Sequence, residues 1–210
     1  MEPIDFKNYF PTISAVQLDQ LNQLDAFYKE WNEKINLISR KDMDAFRIHH
    51  VLHSLTLTKF MKFRAGTEIL DLGTGGGFPG IPLAIFYPEV KFHLIDGTGK
   101  KIVVVNEAIK HLGLENVIAD HIRIEQVESK YDFITARAVT EMGELLRLTR
   151  KHIKLKQSNA RPNGLIAYKG YPLKEEAKIL KTRAHEVFML SDYFKEDYFK
   201  EKCIVYIPMY

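Results

Sequence analysis

A glycine-rich stretch at positions 73–80 has residues suited to binding a small molecule. Four glycines fall within positions 73–77, directly after the short apolar run 69–72. Because glycine has no Cβ atom, a ligand can approach the backbone of such a turn closely. Gly75-x-Gly77-x-x-Gly80 also fits the pattern of nucleotide-binding loops, a weak signal on its own. The stretch predicts a ligand-binding turn between a strand and a helix, with a tight turn that holds no ligand as the alternative.

Two aspartates indicate which ligand this turn would hold. Asp96 ends the next apolar run, 91–95, where a carboxylate can accept hydrogen bonds from two ribose hydroxyls. Asp71 lies at the tip of the first run, where its charge would repel a pyrophosphate and favour a ligand with an amino group and a sulfonium. The pair favours S-adenosylmethionine over NAD as the cofactor.

Basic residues follow other apolar runs. Arg137 comes after the run 131–136, and Lys169 comes after the run 164–168. Ligands bind at the carboxyl ends of the strands in open α/β sheets, so both residues are candidates for the site, and a surface ion pair is the alternative for Arg137.

A second group of cations is predicted to contact RNA phosphates. Lys100, Lys101 and Arg123 follow the second and third predicted strands, and Lys169 belongs to the same strand-end face. Phosphate contacts of this kind come from lysine and arginine side chains.

The elements that would position these residues form an α/β fold. Ser14 and Gln17 match a helix capping box, and a second helix is predicted from an Asp42 cap to about Met61. Residues 1–65 are predicted to form a helical extension on a domain of residues 66–210. That domain has the layout of the Rossmann-like class I methyltransferases, a seven-stranded, mostly parallel sheet whose last strand is antiparallel. The predicted strands are 69–72, 91–95, 116–119, 131–136, 164–168, 187–190 and 203–207, and the later helices are 81–86, 102–112, 141–152 and 173–183.

Composition sets outer bounds on function. The net charge of +3 permits a nucleic-acid partner without requiring one. The single cysteine, Cys203, excludes an internal disulfide and suits a reducing compartment. No apolar run approaches membrane-spanning length, and the first residues have no signal pattern, so a cytoplasmic protein with no membrane partner is expected.

Three histidines, His49, His50 and His53, lie in the second predicted helix. His49 and His53 are four residues apart, but no acidic residue or cysteine at matching spacing completes a metal site, so no metal is expected. A basic face near the substrate, or a solvated polar face, is the preferred interpretation.

Several motifs together resemble the RsmG family, also called GidB, over nearly the whole chain. The residues that carry this resemblance are Trp31-Asn32-x-x-x-Asn36-Leu37, Arg47-x-x-His50-x-Leu52-x-Ser54, Asp71-x-Gly73-Thr74-Gly75-x-Gly77-x-Pro79-Gly80-Ile81-Pro82-Leu83, Asp96-x-x-x-Lys100-Lys101, Arg123-Ile124-Glu125, Arg137-Ala138 and Lys169-Gly170. The chain departs from the family at His53, where the family often has aspartate, and at Gly76, where it often has proline.

The resemblance implies methylation of N7 of a single guanine, at position 527 of 16S rRNA, with S-adenosylmethionine as the methyl donor. It implies that a cofactor pocket is lined by Gly73, Phe78, Ile124, Glu125 and Arg137. The substrate would be 16S rRNA or a small-subunit assembly intermediate, and the enzyme is expected to be a monomer.

Alternatives to this function remain open at the level of sequence. A non-catalytic RNA-binding or assembly protein could retain the fold, and an NAD-dependent oxidoreductase could use the same glycine turn. Methylation of a pyrimidine carbon needs a cysteine nucleophile, and Cys203 is remote from the glycine turn. Guanine N7 carries a lone pair and no proton, so no catalytic base is expected, and Arg137 and Lys169 are expected to act by positioning.

Overall fold

A computed structural model describes residues 4–174 and 176–209, so residues 1–3 of the predicted extension lie outside the described part. The strands are β1 (Glu68–Leu72), β2 (Lys91–Ile95), β3 (Val117–Asp120), β4 (Phe133–Arg137), β5 (Gly164–Gly170), β6 (Glu186–Met189) and β7 (Lys202–Pro208). The α-helices are α1 (Phe6–Tyr9), α2 (Ala15–Lys34), α3 (Arg40–Asp44), α4 (His53–Leu55), α5 (Gly80–Phe86), α6 (Gly99–Leu112), α7 (Met142–Thr149) and α8 (Ala177–Leu180).

The seven strands form one sheet in the order β3-β2-β1-β4-β5-β7-β6. The neighbours from β3 to β5 pair in parallel, whereas β7 is antiparallel to both β5 and β6. The predicted mostly parallel sheet with a reversed last strand is confirmed, and every predicted strand boundary lies within two residues of the observed one. Because β7 is reversed, its first residue, Lys202, pairs with Gly170 at the carboxyl end of β5.

Alternate residues of the central strands face opposite sides of the sheet, as strand geometry requires. On β1, Ile69 packs into one hydrophobic cluster and Leu70 into a second one on the other face. The first cluster also takes in Leu21, Leu24 and Tyr28 of α2, so the N-terminal helices share the core of the sheet domain.

The long helix α2 begins at the predicted cap. The Ser14 hydroxyl accepts a hydrogen bond from the Gln17 amide, and the Gln17 side chain accepts one from the Ser14 amide, which confirms the predicted capping box. The hydroxyl of Tyr28 donates to the carbonyl of Gly76 at 2.6 Å, so this helix is anchored to the glycine turn.

The second predicted helix is wrong in both its cap and its regularity. Ser39, not Asp42, caps the short helix α3, with its hydroxyl accepting from the Asp42 amide. Residues 47–59, here called the histidine segment, then form a π-helical stretch (Arg47–Leu52), the single turn α4 and a 3-10 stretch (Thr56–Lys59). The hydroxyls of Ser54 and Thr56 donate hydrogen bonds to carbonyl oxygens within the segment. Side chains on β4 and β5 donate to two further carbonyl oxygens, and these bonds disrupt the regular α-helical hydrogen-bond ladder.

The predicted helices after β4 and β5 are too long. The first ends at Thr149 and continues as a 3-10 turn over Arg150–His152. In place of the predicted helix 173–183, the described residues form only the four-residue α8, and position 175 lies outside them. Among the apolar side chains of α8, Leu180 is buried and Ile179 is partly buried. Such a small apolar surface contributes little packing energy to stabilise a longer helix. Within the described residues, no helix combines the length and apolar composition that crossing a membrane requires.

Candidate functional site

The turn between β1 and α5 has the backbone geometry that its glycines predict. Gly73, Gly75 and Gly77 all have positive φ, at 66°, 60° and 92°, where residues with a Cβ atom are strained. A Cβ added to Gly75 would have no heavy atom within 4 Å, whereas one on Gly73 would lie 2.8 Å from Val139 Cγ2. The turn is therefore open at Gly75 and closed at Gly73 by the loop after β4.

Asp71 is fully buried beneath this turn. Its Oδ2 accepts hydrogen bonds from Thr74 Oγ1 at 2.6 Å and from the Gly80 amide at 3.0 Å, and its Oδ1 accepts from Thr135 Oγ1 at 2.8 Å. Burial raises the pKa of this carboxyl to about 6, although the hydrogen bonds oppose the shift. Asp71 thus ties the turn to the start of α5, and its predicted contact with the cofactor stays a prediction.

Asp96 lies beside the open part of the turn. Its Oδ2 accepts a hydrogen bond from the Gly75 amide at 2.9 Å, and its Oδ1 accepts one from the Thr98 amide at 2.8 Å. A carboxylate oxygen has more than one lone pair, so both oxygens retain capacity to accept hydrogen bonds from a ligand. The structure brings Asp96 and Gly75 together as predicted.

The loop after β3 meets the loop after β2 next to Asp96. Arg123 is exposed, and its side chain packs near Gly97, while His121 Nε2 lies 3.1 Å from the Gly97 carbonyl oxygen. In the 3-10 turn that follows, Ile124 is buried and Glu125 is exposed. Ile124 belongs to the same hydrophobic cluster as Ile95, the residue before Asp96.

Arg137, the last residue of β4, connects the glycine turn to the histidine segment. Its guanidinium donates to the His49 carbonyl at 3.2 Å and to His50 Nδ1 at 3.1 Å. It also lies 5.5 Å from the centre of the Phe78 ring, a cation–π distance. Phe78 itself is buried, in contact with aromatic rings of α2 and of the histidine segment. The surface ion pair considered from sequence is not what these contacts show.

Lys169 is held by two contacts at the end of β5. Its ammonium group forms an ion pair with Glu176 at 2.9 Å and donates to the Thr140 carbonyl at 2.9 Å, with only 15% of its side chain exposed. The carboxylate of Glu176 neutralises the charge of Lys169, and the hydrogen bond to the Thr140 carbonyl ties Lys169 to the loop after β4. This arrangement suits a positioning role better than a direct contact with phosphate.

A cavity of about 350 Å³ opens between the histidine segment and the carboxyl ends of β4 and β5. We call it the histidine pocket. Its lining residues are Asp42, His49, His50, His53, Arg137, Ala138, Tyr168, Lys169, Gly170, Tyr198 and Lys202. Predicted site residues on β4 and β5 thus meet residues from the N-terminal extension in one cavity.

Two histidines of this pocket, His50 and His53, have lowered pKa values, because burial and nearby cations disfavour their charged forms. Burial lowers the pKa of His50 to about 3, with Arg137 acting in the same direction. His53, only 5% exposed, has its pKa pushed well below the usual range by the same causes. The expected basic or solvated face on this segment is therefore wrong for these two residues.

Tyr198 and Lys202 line the histidine pocket, and sequence reasoning missed both. Tyr198 Oη lies 3.1 Å from His53 Nδ1, its ring stacks on His49 at 4.0 Å, and Lys202 lies over the same ring at 5.1 Å. The predicted reversal of the last strand could have indicated these two residues. A reversed strand begins at the edge where parallel strands end, so the residues that precede it reach the site.

Within residues 4–174 and 176–209, no group of three or more histidine, cysteine or acidic side chains is arranged to hold a metal ion. His49 pairs with Asp42 at 2.9 Å, and His50 bonds to Arg137. These contacts give one ring nitrogen of each histidine a protein partner.

Comparison with known proteins places the chain among RNA-modifying proteins. Residues 17–196 match the family described as "GidB: rRNA small subunit methyltransferase G". The ribosomal RNA small subunit methyltransferase G of Christiangramia forsetii is 47% identical over 203 residues, covering 97% of this chain and 95% of that protein. The protein of the same name from Phocaeicola vulgatus is 48% identical over 201 residues, covering 96% of each chain.

Solved structures support the fold. A SAM-dependent methyltransferase from Aquifex aeolicus is similar with a TM-score of 0.55 and 21% identity, covering 77% of this chain and 91% of that one. The fibrillarin/Nop5p complex contains a chain with a TM-score of 0.56 and 15% identity, covering 75% and 79% of the two chains. At these identities the likeness concerns the fold alone.

Proposed function

Because the chain belongs to the rRNA small subunit methyltransferase G family, we propose that it transfers a methyl group from S-adenosylmethionine to N7 of a guanine in 16S rRNA. The observation that carries this proposal is the meeting of the open glycine turn, Asp96 and the histidine pocket at one edge of the sheet. A cofactor site and a cavity for an acceptor base must lie side by side for a direct transfer.

The residues around the glycine turn fit S-adenosylmethionine. The open side of Gly75 leaves space for close backbone approach, and Asp96 has acceptor capacity for ribose hydroxyls. Ile124 would pack against the adenine ring, with Glu125 beside it, and Gly73, Gly77, Phe78 and Arg137 would shape the remainder of the pocket. Asp71 would act indirectly, by holding the turn in its positive-φ conformation.

Three cations form the proposed RNA-binding face. Lys100 and Arg123 are exposed and Lys101 is partly exposed, on α6 and the loop after β3, at the same end of the sheet as Asp96. Their charges would contact phosphates of the rRNA. Lys169 borders this face but would hold the loop after β4, because Glu176 already pairs with it.

The chain would need no residue to remove a proton. S-adenosylmethionine, when bound, supplies an electrophilic methyl group on a sulfonium. Guanine N7 offers an in-plane lone pair and carries no proton, so the residues of the site have only to orient the base and exclude water. Arg137 and Lys169 fit this positioning role, since both are held by contacts with other elements.

The test is to incubate the protein with methyl-labelled cofactor and unmethylated 16S rRNA, both naked and in small-subunit particles, and to map the product base. Label at N7 of one guanine is expected. Cofactor binding without transfer to either RNA would favour a non-catalytic assembly protein, and tight NAD binding would favour an oxidoreductase. We also propose a monomeric cytoplasmic enzyme, which sedimentation and cell fractionation would check.

A further inference from the structure

The histidine pocket adjoins the glycine turn through shared residues. Arg137 lines the pocket and contacts Phe78 of the turn, and His50 lines the pocket with its ring 5.2 Å from the same Phe78 ring. A cavity of about 350 Å³ is near the lower end of the range of small-molecule sites, a size suited to one extruded base.

His50 carries a hydrogen-bond donor whose identity the structure determines. Arginine can only donate, so His50 Nδ1 must accept the bond from Arg137, at 3.1 Å. The neutral ring then carries its proton on Nε2. That Nε2 is buried and has no hydrogen-bond partner among the described residues. A buried donor without a partner is destabilising, so a ligand that supplies an acceptor there gains affinity.

The Hoogsteen edge of guanine supplies such an acceptor. Its 6-keto oxygen is adjacent to N7 on this edge, and N7 must face the cofactor beside the glycine turn. A donor on His50, whose ring lies 5.2 Å from the Phe78 ring, therefore suits the 6-keto oxygen and leaves the N7 lone pair free to react.

We propose that the histidine pocket receives the target guanine and that the Nε2–H of His50 donates a hydrogen bond to its 6-keto oxygen, an inference that rests on the proposed function. Arg137 selects the tautomer of His50 that can donate. Adenine carries an amino group at this position and cannot accept the bond, so His50 distinguishes guanine from adenine.

The other walls of the pocket suit a purine held outside the RNA stack. The rings of His49 and Tyr198 stack at 4.0 Å, and Tyr168 and Tyr198 each contact His53 edge-on at 5.4 Å. Aromatic walls of this kind hold an extruded base. Lys202 lies at the rim over Tyr198, where an RNA phosphate would pass.

The test pairs a change in the protein with a change in the base. The target guanine is replaced by 2-aminopurine, which keeps N7 and lacks the 6-keto oxygen, in 16S rRNA ligated from segments. His50→Asn retains an acceptor for Arg137 but removes the Nε2–H, whereas His50→Gln places an amide donor near the Nε2 position. His152→Asn is the matched control, because His152 is also buried with an unpartnered Nε2 but is not part of the pocket.

For wild type, kcat/KM with guanine is expected to exceed kcat/KM with 2-aminopurine by about tenfold. This ratio should fall to about one in His50→Asn and remain near tenfold in His50→Gln and His152→Asn. The affinity of each variant for S-adenosylhomocysteine, and its melting temperature, report whether it has folded. Binding of 2-aminopurine RNA should also raise the fluorescence of that base as it leaves the stack, without any turnover.

Two results would overturn this inference in different ways. If wild type methylates rRNA but folded His50→Asn keeps the tenfold ratio, the base contact is wrong and the proposed function stands. If wild type methylates no RNA guanine, the proposed function fails and the inference fails with it.

Discussion

The two aspartates of the site differ in how fully they are enclosed, since Asp71 is 0% exposed and Asp96 is 9% exposed. Asp71 has its oxygens occupied by Thr74, Thr135 and Gly80, whereas Asp96 receives one amide bond on each oxygen. Their positions after two strands were predictable from the sequence. The enclosure of Asp71 was not, because Thr135 comes from β4 and reaches Asp71 only after the sheet has formed.

Asp96→Ala is expected to weaken binding of S-adenosylmethionine by about 1.5–3 kcal/mol, the usual contribution of hydrogen bonds to a charged group. Isothermal titration calorimetry measures this change. Asp120→Ala, at the end of the neighbouring strand β3, is the control and should leave cofactor affinity unchanged. Equal affinities in wild type and Asp96→Ala would remove Asp96 from the cofactor site.

Asp71 should make folding stability depend on pH. Its folded pKa, about 6, lies above the ordinary value of 3.8, so the folded state holds a proton that the unfolded state has lost between these values. Stability from this group is therefore complete below about pH 4 and is lost as the pH rises through 6, by up to roughly 3 kcal/mol.

Urea titrations of wild type and Asp71→Asn at several pH values would measure this effect. The asparagine variant cannot titrate, so its stability relative to wild type should rise between about pH 4 and pH 6. A difference between the two proteins that does not change with pH would show that the carboxyl of Asp71 is already ionised in the folded state at low pH.

At the scale of elements, strands were easier to predict than helices. The short apolar runs that form β1, β2 and β5 mark buried parallel strands whatever their neighbours are. The histidine segment has an apolar stripe that a regular helix would also show. Its departure from a regular helix depends on Arg137 of β4 and Tyr168 of β5. These side chains donate hydrogen bonds to the carbonyl oxygens of His49 and Ser54.

The turn between β1 and α5 can be tested with two glycines of the same geometry. Gly75 and Gly113 have φ of 60° and 63°, and an added Cβ would have no heavy atom within 4 Å at either position. Alanine at either position should therefore cost about 1–2 kcal/mol of stability through backbone strain. Only Gly75→Ala should also weaken S-adenosylhomocysteine binding, which calorimetry would detect, and equal affinities in the two variants would show that no ligand approaches Gly75.

At the scale of the whole molecule, two ends of the chain complete one site. The histidine segment comes from the N-terminal helices, and Tyr198 and Lys202 precede the last strand. The sequence suggested the histidine segment only as a face near the substrate or in solvent, and it did not suggest Tyr198 and Lys202, because the packing of the helices on the sheet and the reversal of β7 bring them together.

The RNA-binding face predicts how affinity varies with salt. Lys100→Ala should lower the slope of log affinity against log salt concentration by about one unit, because one phosphate contact is lost. Lys169→Ala should leave the slope unchanged, since Glu176 already neutralises that charge. Lys151→Ala, in the 3-10 turn after α7, is the exposed control. If Lys100→Ala and Lys151→Ala have the same slope as wild type, Lys100 does not contact the RNA.

The rate of methyl transfer should show no titration of a general base. His50 and His53 are neutral throughout the physiological range because burial and Arg137 depress their pKa values, so neither changes its protonation state near neutral pH. Asp71 titrates near pH 6, which sets the lower limit of the useful range. Single-turnover rates with saturating RNA are therefore expected to be flat between about pH 7 and 8.5. His50→Asn should lower this rate without adding a pH dependence. A log-linear rise in the wild-type rate that disappears in His53→Gln or Glu125→Gln would identify a proton acceptor, and an acceptor atom other than guanine N7 would then be required.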